Sequence, residues 1–127
     1  MIAEIQVAGS PFYLSKSPGR LWRERLVKTG LDLVILGLLM EKDRWGYEIN
    51  MQIRDKYDVY LSAGTLYPLL HSLEEKGFVE AAWQSEGGRG RRIYKITERG
   101  REFVAAGERA LEDLLKRIRA SGGKPHS

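Results

Sequence analysis

The stretch GGRGRRIYKI at residues 87–96 places four basic side chains among three glycines, a composition suited to binding phosphate groups. Arginine and lysine bind phosphate oxygens directly, and glycine lets a backbone approach them closely. Three interpretations are open: a nucleotide-binding loop, a disordered RNA-binding tag and a charged β-hairpin. A nucleotide loop of the Walker type is excluded, because no Lys-Ser or Lys-Thr pair follows the glycines.

Residues suited to other chemistry are sparse. The chain has no cysteine, which excludes disulfides, iron–sulfur clusters and thiolate zinc sites. It has two histidines, His71 and His126, and it lacks the nucleophile-elbow and HExxH motifs. We therefore expect no enzymatic activity, no metal site and no cofactor.

Length and charge favour one small domain with an acidic partner. The chain has 127 residues, a length typical of a single domain, and a formal net charge of +4. The N-terminus lacks the basic segment followed by an apolar segment that a signal peptide has. The longest apolar run, LVILGLLM at 33–40, is far shorter than the roughly 20 residues of a membrane span. We therefore expect a cytoplasmic protein that has no membrane partner.

Apolar spacing predicts several helices in the first half of the chain. Residues 1–20 are rich in Gly, Ser and Pro, and we expect an arm that is extended or partly ordered. A short helix is expected at 20–28. An apolar helix then begins at Thr29, which has the spacing of a capping box with Asp32. After a turn at KDRWG, helical spacing resumes over 47–57.

The next helix is amphipathic and is the candidate recognition helix. Its apolar stripe consists of Leu66, Leu69, Leu70 and Leu73. Ser62 or Thr65 is expected to cap its start, and Gly77 to end it. Because proline is tolerated at low cost only near a helix start, Pro68 places the regular start close to Thr65.

Two alternating runs, FVEAAWQ at 78–84 and RIYKIT at 92–97, flank the glycine–arginine stretch and predict a β-hairpin. Thr97 is expected to cap a last helix over 98–120, followed by a disordered tail at 121–127. This helix has a narrow apolar seam: Val104, Leu111, Leu114 and Ile118. Since nothing else in the chain remains to cover the seam, we expect it to pair with a second copy.

The order of elements predicts a mainly α protein with a small β-hairpin (α+β). It is a winged helix-turn-helix domain at 21–97 with an added C-terminal dimerisation helix at 98–120. In such a domain the recognition helix enters the DNA major groove, while the wing reaches the backbone or minor groove with basic side chains.

Five segments, in this order and spacing, resemble the PadR family of transcriptional regulators: LDLVILGLL, GYEI, GTLYPLLHSLEEKGFV, GRGRRIYKIT and TERGR. The resemblance covers residues 26–118 and leaves 1–20 outside it. It implies a homodimeric winged helix-turn-helix repressor that binds double-stranded DNA. In some members it also implies an apolar effector pocket near the dimer interface.

The candidate DNA-binding residues lie in three places. They are Ser62, Gly64, Thr65, Tyr67 and His71 in the recognition helix, Tyr47 at the start of the preceding helix, and Arg89, Arg91, Arg92 and Lys95 in the wing. The plainer alternatives are that the hydroxyls cap the helix, the tyrosines pack and the cations form a solvated face. Their place on a recognition helix and its wing favours DNA contact, and Gly64 would allow close approach of a phosphate.

Two further sets of side chains have open roles. The first set, Trp22, Trp83 and Phe103, is a candidate lining for an aromatic effector pocket, with core or interface packing as the alternative. The second set is basic: Lys16, Arg20, Arg23, Arg25 and Lys28. It indicates either a second DNA-binding arm or a solvated helix that helps the dimer.

Two functions remain once enzymes are set aside. The first is a dimeric, sequence-specific DNA-binding regulator, which the resemblance makes a repressor, with a small apolar or aromatic effector in some members. The second is a protein-interaction module on a winged-helix scaffold, because a fold does not determine a function. The cations of the wing favour DNA, since a wing that docks to protein has no need of so many.

Overall fold

The computed structural model of the protein describes residues 16–86 and 89–122. The elements over these residues confirm the predicted mainly α winged-helix fold with a small sheet. They are α1 Pro18–Thr29, α2 Leu31–Glu41, β1 Arg44–Trp45, α3 Gly46–Tyr57, α4 Ala63–Glu75, β2 Val79–Glu86, β3 Arg89–Ile96 and α5 Glu98–Ser121. Most of the predicted arm at 1–20 and of the predicted tail at 121–127 lies outside the described residues.

The start of α1 lies inside the predicted arm. Ser17 caps it, with Oγ accepting a hydrogen bond from the Arg20 N–H at 3.1 Å, and Pro18 occupies a first-turn position that needs no N–H. The helix runs to Thr29, so the predicted helix start at Thr29 is wrong. The N-cap residue of a helix has non-helical backbone angles, and the N-cap of α2 is Gly30.

The sheet has three antiparallel strands in the order β1-β3-β2. The KDRWG segment, predicted as a turn, supplies β1, in which Arg44 lies opposite Tyr94 and Trp45 opposite Ile93. A strand of two residues has too little pattern of its own to be predicted, and it forms because β3 offers an edge to pair with. This pairing places Trp45 beside the wing.

We call the hairpin of β2 and β3 the wing, and it is longer than predicted. The register runs from Val79 opposite Ile96 to Glu86 opposite Arg89, so strand pairing continues through the arginines. Gly90 therefore belongs to β3 rather than to the turn. Alternation alone did not predict this extension, because glycine and consecutive arginines interrupt the apolar pattern.

A buried arginine fixes β1 to the helices. The Nε of Arg44 donates to the carbonyl of Leu38 at 3.3 Å, and its Nη2 donates to the Glu41 carboxylate at 2.7 Å. Lys56 Nζ donates to the same carboxylate at 2.7 Å. The hydrogen bonds from Lys56 and Arg44 hold the pKa of Glu41 below its ordinary value, so this carboxylate stays ionised and neutralises the buried guanidinium.

The recognition helix α4 begins at Ala63, two residues before the predicted start. Ser62 is its N-cap, with Oγ accepting the N–H of Thr65 at 3.2 Å. Pro68 consequently lies inside the helix, where its missing N–H leaves the Gly64 carbonyl without a helical donor. Both residues are exposed, so water can satisfy that carbonyl.

The signals predicted at the end of α4 and the start of α5 are confirmed. Gly77 has a φ of +80°, in the left-handed region that favours glycine. Thr97 Oγ1 accepts the N–H of Gly100 at 3.0 Å and donates to the carbonyl of Gly77 at 2.7 Å. The N–H of Thr97 donates to the Phe78 carbonyl at 3.0 Å. These bonds tie α5 to the base of the wing.

One hydrophobic core joins α2, α3, α4 and the sheet. Its largest fully buried side chains are Ile35, Leu36, Leu39, Ile49, Ile53, Val59, Leu66, Leu70, Leu73 and Val79. The leucine stripe predicted for α4 is therefore its buried face, with Leu69 half-buried at the edge. No helix of the described residues is long and apolar enough to cross a membrane.

The last helix divides into a packed half and an uncovered half. Val104 is 4% exposed and belongs to the core of its own chain, which differs from its predicted place in an intermolecular seam. Gly107 lies against α2, since a Cβ there would be 3.0 Å from Leu33 Cδ1. Every residue over 108–122 is exposed. The uncovered apolar seam of α5 is therefore Leu111, Leu114, Leu115 and Ile118.

Candidate nucleic-acid interface

One face of α4 projects from the molecule. Its residues are Ser62, Gly64, Thr65, Tyr67, Pro68 and His71, all of them exposed. The five residues predicted to bind DNA from this helix therefore share one surface, opposite the buried leucines. Pro68 is an addition to the set, because the sequence marked it only as a backbone constraint.

The start of α4 uses its hydroxyls as caps and also exposes them. Ser62 Oγ lies 3.2 Å from Thr65 Oγ1 and accepts the Thr65 N–H, so the capping alternative holds for Ser62. Both side chains remain exposed. A Cβ on Gly64 would have Ser62 Oγ at 3.7 Å as its nearest neighbour, so packing does not require glycine there. The first turn of a helix favours anions, since its N–H groups and dipole are positive.

The position of Tyr67 is set by a glycine at the start of α3. A Cβ on Gly46 would lie 2.6 Å from Tyr67 Cε1 and 2.7 Å from its hydroxyl oxygen. The tyrosine ring therefore lies directly against the Gly46 backbone while 45% of the residue stays exposed. Packing and exposure to a partner thus coexist at Tyr67.

Two further tyrosines, Tyr47 and Tyr60, lie beside the start of α4. Tyr47 is exposed, and its ring is tilted against Trp45 with 5.3 Å between centroids. Tyr60 is exposed in the loop before α4, and both tyrosines border a small depression with Asn50. Asn50 Nδ2 donates to the Leu61 carbonyl at 3.3 Å, which fixes that loop. Tyr60 was missed because nothing in its sequence context distinguishes it from a packed tyrosine.

The four predicted cations of the wing are not equivalent. Arg91 is exposed, with its guanidinium carbon 4.2 Å from the centroid of the Trp45 ring. Trp45, and not Tyr47, is thus the aromatic residue packed against the wing. Lys95 is exposed, but it lies opposite Glu80 in the register. The backbone of Arg89 belongs to β3, and its side chain is outside the described part of the chain.

Arg92 binds the recognition helix. Its Nη2 donates to Glu74 Oε2 at 2.9 Å, and both side chains are about one-third exposed, at 35% and 30%. The charge predicted for DNA is therefore largely neutralised by a carboxylate of α4. This ion pair joins the wing to the helix, and contact of Arg92 with DNA stays a prediction.

A groove of about 400 Å³ separates the exposed face of α4 from the wing. Tyr67 and His71 line it from the helix, and Trp83, Arg91 and Tyr94 line it from the wing. Burial raises the pKa of the Tyr94 phenol, so this side chain stays neutral at physiological pH. His71 lies 3.3 Å from the Glu75 carboxylate, Nε2 to Oε2. The groove is consequently aromatic with charged edges.

The three aromatic residues predicted to line an effector pocket lie apart. Trp22 is exposed on α1 beneath the guanidinium of Arg25, whose carbon lies 4.7 Å from the ring centroid. Trp83 lines the groove beside α4. Phe103 stacks on Phe78, with 4.4 Å between ring centroids. Within the described part of one chain, the three rings therefore have different neighbours: Arg25 for Trp22, the groove for Trp83 and Phe78 for Phe103.

Several basic residues near the N-terminal end hold α1 in place. Arg20 forms an ion pair with Asp58 at 3.1 Å, and Arg23 Nε donates to the carbonyl of Tyr57 at 3.0 Å. Lys16 and Lys28 both bind the carboxylate of Glu24. The contacts of Arg20 and Arg23 attach α1 to the end of α3, whereas those of Lys16 and Lys28 stay within α1 and the residue before its cap. Together they favour the solvated helix over a second DNA-binding arm.

This chain is similar to known proteins in sequence and in structure. The chain matches the transcriptional regulator PadR-like family over residues 35–106. It is 36% identical over 90 residues to a transcriptional regulator of Mycobacterium tuberculosis, an alignment that covers 71% of each protein.

Two solved structures are similar over most of their length. A transcriptional regulator from Clostridium thermocellum has a TM-score of 0.68 and 30% identity, covering 79% of this chain and 99% of the other. A PadR family transcription regulator from Clostridium difficile has a TM-score of 0.66 and 28% identity, and the match covers 72% of this chain and 97% of the other. The family match begins within α2 and ends within α5, so it includes the exposed face of α4 and the wing. The chain therefore belongs to the PadR-like family of transcriptional regulators.

Proposed function

We propose that this protein is a transcriptional repressor that binds operator DNA as a homodimer, with α4 in the major groove and the wing along the backbone. The observation that carries the proposal is the exposed face of α4 beside an exposed wing arginine. The hydroxyls of Ser62, Thr65 and Tyr67 are hydrogen-bonding groups suited to base edges and phosphates. Arg91 is suited to a phosphate.

The helix and the wing have different tasks in this proposal. The cations of the wing supply affinity without sequence preference, since each phosphate neutralised contributes about −0.9 to the slope of log K against log salt. The helix supplies preference, because base pairs differ in the donors and acceptors they present in the major groove. Gly64 leaves room for a phosphate at the start of the helix, and His71 reaches the duplex one turn further along.

The uncovered half of α5 supports dimerisation. Leu111, Leu114 and Ile118 follow a helical repeat and are exposed, so pairing with a second copy would remove them from water. A twofold dimer presents two copies of α4 to half-sites about 34 Å apart, one turn of DNA. A dimer bound over a promoter blocks transcription. The proposal places the protein in the cytoplasm and assigns no effector, because the aromatics predicted for one lie apart.

A protein-interaction module is the second candidate. Tyr47, Tyr60 and Trp83 are exposed aromatic side chains, a residue type enriched at protein interfaces. This candidate leaves the polar face of α4 and the exposed Arg91 without a partner of complementary chemistry. DNA accounts for both, so it is the better supported of the two.

Selection from a random duplex library tests the proposal. We expect the enriched sequences to share an inverted repeat whose half-sites are centred about 10 base pairs, or a multiple of that, apart. Binding to the enriched duplex should weaken steeply as salt rises. If no motif is enriched and no salt-sensitive binding to any duplex is found, the DNA-binding proposal is wrong and a protein partner is favoured.

A further inference from the structure

Trp83 is the most exposed large apolar side chain among the described residues, at 72%. It lies on β2 opposite Arg92 of β3. Burying a tryptophan stabilises a fold, whereas exposing one leaves a large apolar surface in water. The core does not use this side chain, so its exposure needs another explanation.

The indole is nevertheless held in place. A Cβ on Gly90 would lie 3.1 Å from Trp83 Cε3 and 3.2 Å from Cζ3, so the ring lies directly against the Gly90 backbone. The guanidinium carbon of Arg92 is 5.9 Å from the centroid of the indole. The ring is thus supported by β3 and leaves the rest of its surface open.

The open surface of Trp83 borders the groove between α4 and the wing. Tyr67 and His71 line the opposite side of this groove, and both lie on the exposed face of α4. Arg91 supplies positive charge at the edge of this groove, beside the ion pair of Arg92 with Glu74. A molecule that contacts the exposed face of α4 and the wing together would therefore cover Trp83.

We propose that Trp83 is an apolar DNA-contact residue, whose indole packs against a thymine methyl group or the C–H surface of a deoxyribose next to the base pairs read by α4. This inference rests on the proposed function. DNA is the occupant that the surroundings favour, because it combines a phosphate for the exposed Arg91 with apolar surface for the ring. Apolar side chains contact thymine methyl groups in this way in the major groove.

An apolar contact has a signature that separates it from an ion pair. An apolar contact releases no counterions, so its loss lowers the affinity by the same factor at every salt concentration. We expect Trp83→Ala to weaken binding to the selected duplex by about tenfold, with an unchanged slope of log K against log salt. Trp83→Phe, which keeps a smaller aromatic ring, should recover part of the loss.

Fluorescence anisotropy at four salt concentrations, with wild type and both variants, tests the inference. Met40→Ala is the matched control, because it removes an exposed apolar side chain that lines no part of the groove. The melting temperature of each variant is measured to confirm folding. Replacing single thymines with deoxyuridine, which lacks the methyl group, distinguishes the two sources. If the indole contacts a methyl group, one such replacement lowers the affinity of wild type and leaves the affinity of Trp83→Ala unchanged. A sugar contact is insensitive to every replacement.

Three outcomes have separate meanings. If Trp83→Ala binds as tightly as wild type, Trp83 does not contact DNA. If the variant loses affinity together with about one unit of salt slope, Trp83 acts by holding a wing cation on a phosphate, which also overturns a direct apolar contact. If wild type binds no duplex at all, the proposed function itself fails, a result distinct from the other two.

Discussion

Arg91 and Arg92 are neighbours in β3, and strand alternation directs their side chains to opposite faces of the wing. Arg91 lies over the Trp45 ring and is exposed, whereas Arg92 binds Glu74 at 2.9 Å. The sequence predicts a basic wing but not this division of roles. The division depends on a carboxylate 18 residues away, which only the folded chain brings to Arg92.

Arg91→Ala is expected to weaken binding to the selected and to a scrambled duplex alike, by about tenfold at low salt. The slope of log K against log salt should fall in magnitude by about 0.9, the contribution of one phosphate. Arg119→Ala removes the same charge at the far end of α5 and should leave affinity and slope unchanged. Salt titrations by anisotropy measure both. Unchanged binding by the Arg91 variant would show that the wing does not contact phosphate there.

Two helical glycines should respond oppositely to the same substitution. A Cβ on Gly100 would lie 2.3 Å from the Phe78 carbonyl oxygen, whereas a Cβ on Gly37 meets nothing within 4 Å. Gly100→Ala should lower the free energy of unfolding by roughly 1–3 kcal/mol or more, because a backbone atom must move. Gly37→Ala should raise it by about 0.5–1 kcal/mol. Urea unfolding at one protein concentration checks both, and equal effects would contradict the packing at Gly100.

At the level of elements, the local signals and the hairpin of the wing were predicted, whereas β1 and the full length of the wing were not. The buried stripe of α4, the left-handed Gly77 and the Thr97 cap depend on residues a few positions apart, and all three are confirmed. β1 and the outer half of the wing exist only through pairing with β3. α4 begins earlier than predicted because Ser62, and not Thr65, is its N-cap, and Pro68 then falls inside the helix where the carbonyl of Gly64 is exposed to water.

The start of α4 gives a substitution that separates folding from DNA binding. Gly64 is helical and a Cβ there would make only an ordinary contact, 3.7 Å from Ser62 Oγ, so Gly64→Ala should stabilise the protein by about 0.5–1 kcal/mol. The added methyl group should displace the phosphate from the start of α4. Losing that contact costs about 1 kcal/mol of binding free energy, which weakens DNA binding about fivefold. Gly19→Ala in α1 is the control, with the same gain in stability and unchanged DNA affinity. An affinity equal to wild type in the Gly64 variant would place the phosphate elsewhere.

At the scale of the whole molecule, α5 connects the domain to its expected partner copy. Periodicity placed Val104 in the same seam as Leu111, but Val104 packs in the core and Gly107 against Leu33. Periodicity identifies an apolar face without identifying what covers it. The sequence therefore predicted the helix and its seam, while the division at Gly107 required the position of α2.

Leu114→Glu is expected to convert the dimer to a monomer, because it places a charge in the middle of the seam. Affinity for the inverted repeat should then fall by at least tenfold, while folding of the monomer is retained, since Leu114 makes no part of the core. Lys116→Gln changes the net charge by the same amount on the same helix and should remain a dimer. Analytical ultracentrifugation gives the mass of each. A wild-type mass of one chain at micromolar concentration would contradict the dimer.

The central claim is that α4 and the wing together bind a specific DNA sequence, and a comparison of two duplexes tests it most directly. The dissociation constant of the wild-type protein is measured at physiological salt for the selected duplex and for a scrambled duplex of the same composition. We expect the selected duplex to bind at least about 1,000-fold more tightly, the lower end of the range for specific regulators. Equal affinity for the two duplexes, or no binding to either, would contradict the account.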